Sequence, residues 1–244
     1  MKPLIIVLSP REIRKFKSAI DTINHIDKFW IRNHIKTEAL PLAQKTFLEN
    51  KQYTHFIPLP DDLVVPKSKI NRLIEDYLTH IKDIQNTVVC GFCNVDTMAL
   101  QYHAAISFTR VSTERKGRQY NFETLRKIRQ QRKVSNFIKV GWAGLPLMII
   151  PRYIMERVTL RNDSPTGKDE TGCCYDVMFC HDAQELGFNI LCDTRVELNH
   201  LKYTNEAITT LHLKHKKKET YWEYAITDEL NSPPLPSLTI LENS

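Results

Sequence analysis

The chain has 244 residues, 42% of them apolar and 25% charged, with a formal net charge of +6. That length supports one large core or a core with an appendage, and the composition is that of an ordinary globular chain, not a disordered or fibrous one. The apolar opening run over 4–8 is too short for a signal peptide or a membrane span and no other stretch approaches spanning length, so a soluble, cytoplasmic protein is expected.

Residues 4–8 read as a fully apolar strand of the kind buried on both faces of a parallel sheet. Ser9 can cap the helix that follows, with Pro10 at its first position. That helix, over 11–22, carries Ile13, Phe16 and Ile20 at helical spacing. A second strand over 26–31 precedes a helix over 36–50 that Pro41 should interrupt early. A third strand covers 53–59. Pro58 and Pro60 cannot donate to a ladder, so it should end near them. The β-α-β-α-β order argues an α/β fold with a mostly parallel central sheet, helices on its faces and right-handed crossovers. A helix over 66–82 presents Ile70, Leu73, Ile74, Tyr77, Leu78 and Ile81 on one face, and 87–92 is a further strand.

The middle of the chain is polar and basic. Between Arg110 and Lys133 nine Lys or Arg residues face only Glu114 and Glu123, and Lys214, Lys216, Lys217 and Lys218 form a second basic cluster. Such patches attract phosphate, on nucleotides, lipid head groups or nucleic acid. Residues 104–109 read as an edge strand and 137–144 as a return to the core. A helix is expected from Pro151 to about 158, and another over 175–186 that Gly187 ends in a left-handed cap. Two strands follow, over 188–192 and 196–198, and then His200. Residues 232–237, SPPLPS, read as part of a disordered tail. Among the six cysteines, Cys90 and Cys93 have zinc-like spacing, but the adjacent Cys173 and Cys174 make a poor second half, so buried free thiols are expected.

Asp61 and Asp62 follow the third strand directly. The carboxyl end of a strand is where open α/β sheets bind ligands. Adjacent carboxylates repel unless a cation or solvent compensates. A hard ion such as Mg²⁺ or Mn²⁺, shared with a diphosphate, would do so.

Three stretches, in order, carry a resemblance: the strand ending in Asp61-Asp62; residues 140–152, VGWAGLPLMIIPR; and CYDVMFC over 174–180 followed by ELGFNILCDTRVELNH over 185–200. Together they resemble a glycosyltransferase of the GT-A fold, similar to the large inverting family that uses nucleotide sugars. The likeness implies a Rossmann-type catalytic domain over 1–204, with a nucleotide-sugar and metal half over 1–100. The acceptor half, 101–204, would include a basic loop at 110–136, and 205–244 would be a charged extension. It implies metal-dependent transfer of a sugar from a nucleoside diphosphate to an acceptor hydroxyl of a glycan, lipid or protein, with inversion. Asp62 and His200 would hold Mn²⁺ or Mg²⁺, and imidazole suits Mn²⁺ better. Asp61 would touch the sugar or ribose or share the metal, and Asp176 would be the base. Ser9 and Pro10 would edge the nucleobase and ribose, and Lys45 would lie near the nucleotide. Trp142 and Gly144 fall on the acceptor side, with Arg115 and Arg118 on a flap for an anionic acceptor or a membrane surface. The sequence departs from the family's D-x-D motif, because Pro60 stands in place of its first Asp. A nucleotidyltransferase would carry a Gly-rich loop where Ser9 to Arg14 stand. A basic nucleic-acid-binding protein would show a binding motif, and none is recognised here.

Overall fold

The computed structural model describes residues 1–9, 14–32, 34, 36–96, 101–102, 104–105, 107–108, 120–121, 136–145, 147–164, 167–168, 175–201 and 207–208. Its strands are β1 (Pro3–Ser9), β2 (Asp27–Arg32), β3 (His55–Pro60), β4 (Leu63–Val64), β5 (Thr87–Asp96), β6 (Phe137–Lys139), β7 (Met148–Pro151), β8 (Asn189–Leu201) and β9 (Ala207–Ile208). Its helices are α1 (Arg14–Asp21), α2 (Lys36–Glu49), α3 (Lys67–His80), α4 (Arg152–Met155) and α5 (Tyr175–Glu185). Short strand pairs join Ala104–Ala105 to Trp142–Ala143, Ser107–Phe108 to Tyr120–Asn121, and Asp163–Ser164 to Gly167–Lys168.

The central sheet runs in the order β6-β8-β5-β7-β3-β1-β2. Strands β2, β1 and β3 are parallel, as the apolar run at 4–8 implies, and β5 and β8 form a second parallel pair. The sheet is nonetheless mixed. β7 enters antiparallel between β3 and β5, and β6 is antiparallel to β8. The chain enters β7 through Leu147, a buried residue with φ 53, whose amide donates to the Pro58 carbonyl at 3.0 Å. A leucine in that left-handed region is strained by about 1 kcal/mol or more and is held there by its surroundings.

The third strand ends at the prolines as expected: Pro60 is its last residue, paired with Leu8, and Pro58 is still in the ladder opposite Ile6. Backbone N–H and C=O groups of alternate residues point to opposite sides of a strand. The Pro58 carbonyl points to the β7 side and the Asp61 amide donates to Leu8 on the β1 side at 2.9 Å. The proline nitrogens therefore face β7, whose pairing with β3 stops at Phe56. No ladder bond is lost. Pro41 likewise leaves α2 continuous over Lys36–Glu49. Ala39, Leu40, Ala43 and Phe47 bury its apolar face against the sheet, and that packing overrides a local penalty of about 3 kcal/mol. The helix expected from Pro151 is shorter: Pro151 still belongs to β7 and α4 covers only Arg152–Met155.

Successive residues of β1 feed two cores. Leu4, Ile6 and Leu8 pack with α2, α4 and α5; Ile5 and Val7 pack with Phe16 and Ile20 of α1 and with Ile70, Leu73 and Tyr77 of α3. At the amino-terminal edge of the sheet Arg152 ties the helices to the strands. Its guanidinium donates to the carbonyls of Tyr53 (2.7 Å), Phe47 (2.9 Å), Asn50 (2.8 Å) and Leu48 (3.3 Å) and lies 4.4 Å from the centre of the Phe47 ring. Buried Gln44 donates to the carbonyls of Met155 and Val158 and accepts from the Leu160 amide. His55 is hydrogen-bonded between Thr54 Oγ1 (2.8 Å) and the Tyr77 hydroxyl (3.3 Å).

The two strands expected over 188–192 and 196–198 are one strand, β8. Cys192 pairs with Cys90 and the ladder resumes at Glu197 opposite Phe92. Four residues of β8 thus oppose Gly91 alone, which is a bulge of three extra residues. A Cβ on Gly91 would lie 2.8 Å from the Val196 carbonyl oxygen, so only glycine admits the bulge here. Beyond it β8 stays paired with β5 through Glu197 and Leu198, then pairs with β4 through Asn199 and His200 and with β9 through His200 and Leu201. Among the described residues no helix is long and apolar enough to cross a membrane.

Candidate functional site at the carboxyl edge of the sheet

Ser9, Arg32 and Pro60 end β1, β2 and β3 at one edge of the sheet. Ser9 is buried and stands opposite Arg32 in the ladder. The next two residues form the turn Asp61-Asp62. The Asp61 side chain is 1% exposed and Asp62 is half-buried, although carboxylates seek water unless partnered. Leu63, immediately after the pair, stands opposite His200 in the β4–β8 ladder. The bulge in β8 thus brings the His200 backbone beside the acid pair from the far end of the chain. The side chain of His200 lies outside the described residues.

Asp176 approaches the same edge from a different element. It occupies the first turn of α5, where a carboxylate is favoured by the helix dipole. It is buried, and its Oδ1 accepts from the Val177 amide at 2.8 Å. α5 ends at Gly187, φ 83, in the expected left-handed cap, and the chain reverses into β8. The first turn of α5 therefore lies toward the carboxyl end of β8 and the last turn toward its start. Gln184 fixes the helix by donating to the Gly141 carbonyl at 2.6 Å, and the Cys180 thiol contacts the Ala143 carbonyl at 3.4 Å. The buried Gly141 and Gly144 flank this contact.

The other expected site residues divide. Lys45 is exposed, pairs with Glu49 at 3.9 Å, and sits well along α2, which starts beyond β2 and ends before β3. It is carried toward the amino-terminal edge, away from Asp61 and Asp62. Pro10, Arg115 and Arg118 lie outside the described residues, as do nearly all of the basic segment 110–133 and the side chain of Trp142.

Two features escaped the sequence reading. Arg32 ends β2 opposite Ser9 in the ladder, and its guanidinium lies 5.0 Å from the centre of the Trp30 ring. Its position one residue past the expected strand 26–31 was the available signal. The second is an ion network under the bulge. Arg195 bonds Asp193 (3.1 and 3.3 Å) and reaches Asp76 of α3 at 2.6 Å, with His80 at 3.8 Å from Asp76. Burial pushes the Asp193 carboxyl up to about 6 against the pull of Arg195, and the neighbouring Asp76 adds to the rise. The network ties the bulged residues to α3. Its only sequence trace was an Asp and an Arg two apart.

No family model matches the chain, and no curated protein matches it. Among solved structures the chain is similar to A197 from STIV, with 18% identity and a TM-score of 0.54 over 86% of this chain and 90% of that one. The likeness extends over most of both chains and concerns the fold, a mixed α/β sheet flanked by helices.

Proposed function

We propose that the chain is a metal-dependent glycosyltransferase of the GT-A kind that moves a sugar from a nucleoside diphosphate to an acceptor hydroxyl. The observation that carries this reading is the β4–β8 pairing, which sets Asp61 and Asp62 beside the strand that bears His200. Among the described residues no three His, Cys, Asp or Glu side chains form a complete metal cage. The acid pair instead fits an ion of the Mg²⁺ or Mn²⁺ kind, which needs only one or two carboxylates when a diphosphate and water fill its other positions. Asp62 and His200 would hold that ion. When bound, it neutralises charge on the leaving diphosphate. Ser9 and Asp61 line the donor side, with Arg32 as a cation beside them. Asp176 takes the proton of the acceptor hydroxyl, a contribution of typically ~100 to 10,000-fold. The basic segment 110–133 binds an anionic acceptor or a membrane surface, and the enzyme works in the cytoplasm.

A thermal-shift panel of UDP, GDP and CDP and their common sugars, with and without Mn²⁺, tests the reading. One nucleotide should stabilise the wild type only with metal and should leave Asp62→Ala unshifted. A flat panel under both conditions refutes a donor site.

A further inference from the structure

Cys90 of β5 and Cys192 of β8 are direct partners across a parallel ladder. Both are fully buried and belong to the same core cluster, so their side chains leave the sheet on the same face. Adjacent strands lie about 4.8 Å apart, inside the roughly 4.4–6.8 Å Cα separation that a disulfide spans. The Cys90 thiol donates to the Leu191 carbonyl at 3.5 Å, on the strand that carries Cys192. Around them the core is aliphatic and aromatic, with Val88, Met148, Phe179 and Ile190; the buried Cys180 thiol belongs to the same cluster, but it lies on α5 and is turned to the Ala143 carbonyl at 3.4 Å.

We propose that Cys90 and Cys192 are a latent disulfide site, a staple between β5 and β8 that closes directly beneath the bulge. In closing, two S–H bonds break and one S–S bond forms. Two electrons and two protons pass to a small disulfide oxidant such as oxidised glutathione, which leaves as two thiols. The neighbouring Cys192 thiol and burial push the Cys90 thiol well above its ordinary range, so Cys90 is a poor nucleophile while it stays buried. The staple therefore closes while the chain folds or when β8 opens, and once closed it is shielded from reductants. It ties two strands far apart in sequence at the last ladder position before the bulge. The site stands on the ladder geometry alone and is independent of the glycosyltransferase reading.

The test refolds the full chain with oxidised and reduced glutathione and compares it with a fully reduced sample. After oxidative refolding, denaturation and alkylation, four of the six cysteines should react, six less the two linked. Peptide mapping should find Cys90 joined to Cys192, and the oxidised protein should melt about 5–10 °C above the reduced one. Cys93→Ser should keep the link and the shift; Cys192→Ser should lose both. Six reactive cysteines after oxidative refolding overturn the proposal. So does a main cross-link that uses Cys93, Cys173, Cys174 or Cys180. Because the mapping is done on the wild type, a poorly folding variant does not blunt the test.

Discussion

At the amino-terminal edge of the sheet, Arg152 donates to four backbone carbonyls, Gln44 bridges three backbone groups, and His55 sits between a threonine and a tyrosine. At the carboxyl-terminal edge Asp61 and Asp62 share one turn directly after β3. Polar side chains at the first edge close off helix ends and strand starts, and their partners are mostly fixed backbone. Those at the second edge stand on a turn at the carboxyl end of a strand, the place where open α/β sheets take ligands, beside the β4–β8 pairing. The first edge should therefore answer to mutation in stability and the second in binding.

Four measurements test that contrast. Arg152→Ala should have the largest effect, because it leaves three part-buried carbonyls without their donor and removes the stack on Phe47; chemical denaturation should show a loss of about 4 kcal/mol. Acid titration comes next. Burial, aided by repulsion from the amino terminus, pushes His55 down to about 4, below its unfolded value of about 6.5. The folded state then binds fewer protons than the unfolded one, so His55 lowers stability as pH falls from about 6.5 to 4. Asp193 works in reverse. Its folded value near 6 lies above an unfolded value of about 3.9, so its contribution grows as pH falls through the same window. Each is worth about 3 kcal/mol, and the wild type should be nearly flat between pH 6 and 4. Asp193→Asn should uncover acid lability, and His55→Gln should uncover stabilisation by acid. A wild type that loses several kcal/mol across that window would show that the two do not offset.

Gly91→Ala should cost about 2 kcal/mol, because the added Cβ meets a backbone carbonyl that cannot move without shifting the bulge. Amide exchange at residues 197–201 should quicken with it, since those residues hang from the bulge. The smallest stability effect belongs to Asp62→Asn, within about 1 kcal/mol by thermal melting. The same variant should lose metal-dependent nucleotide binding, and a large loss of stability instead would make Asp62 a structural residue.

Much of the frame was legible in the chain. The apolar run at 4–8, the amphipathic face of Ile70, Leu73 and Tyr77, and Gly187 as a helix stop each carry a local signal of period, propensity or backbone freedom, and each lies where that signal puts it. The acid pair was legible for the same reason, since it directly follows a strand. Local rules failed where the deciding partner was distant. Pro58 keeps its place in the ladder only because its missing donor faces the side where the pairing with β7 has already stopped, which no local pattern records. Pro41 breaks a helix only if packing of Ala43 and Phe47 does not hold it.

By itself the sequence determined the α/β class, the first three parallel strands, the helix that bears Asp176 and the candidate acids, because short-range periodicity and capping suffice for those. Only the tertiary structure decided the antiparallel place of β7, the bulge that Gly91 permits and the pairing that sets His200 beside Asp61 and Asp62. Each of those depends on contacts between segments far apart in the chain, and no local pattern records which strand becomes which neighbour.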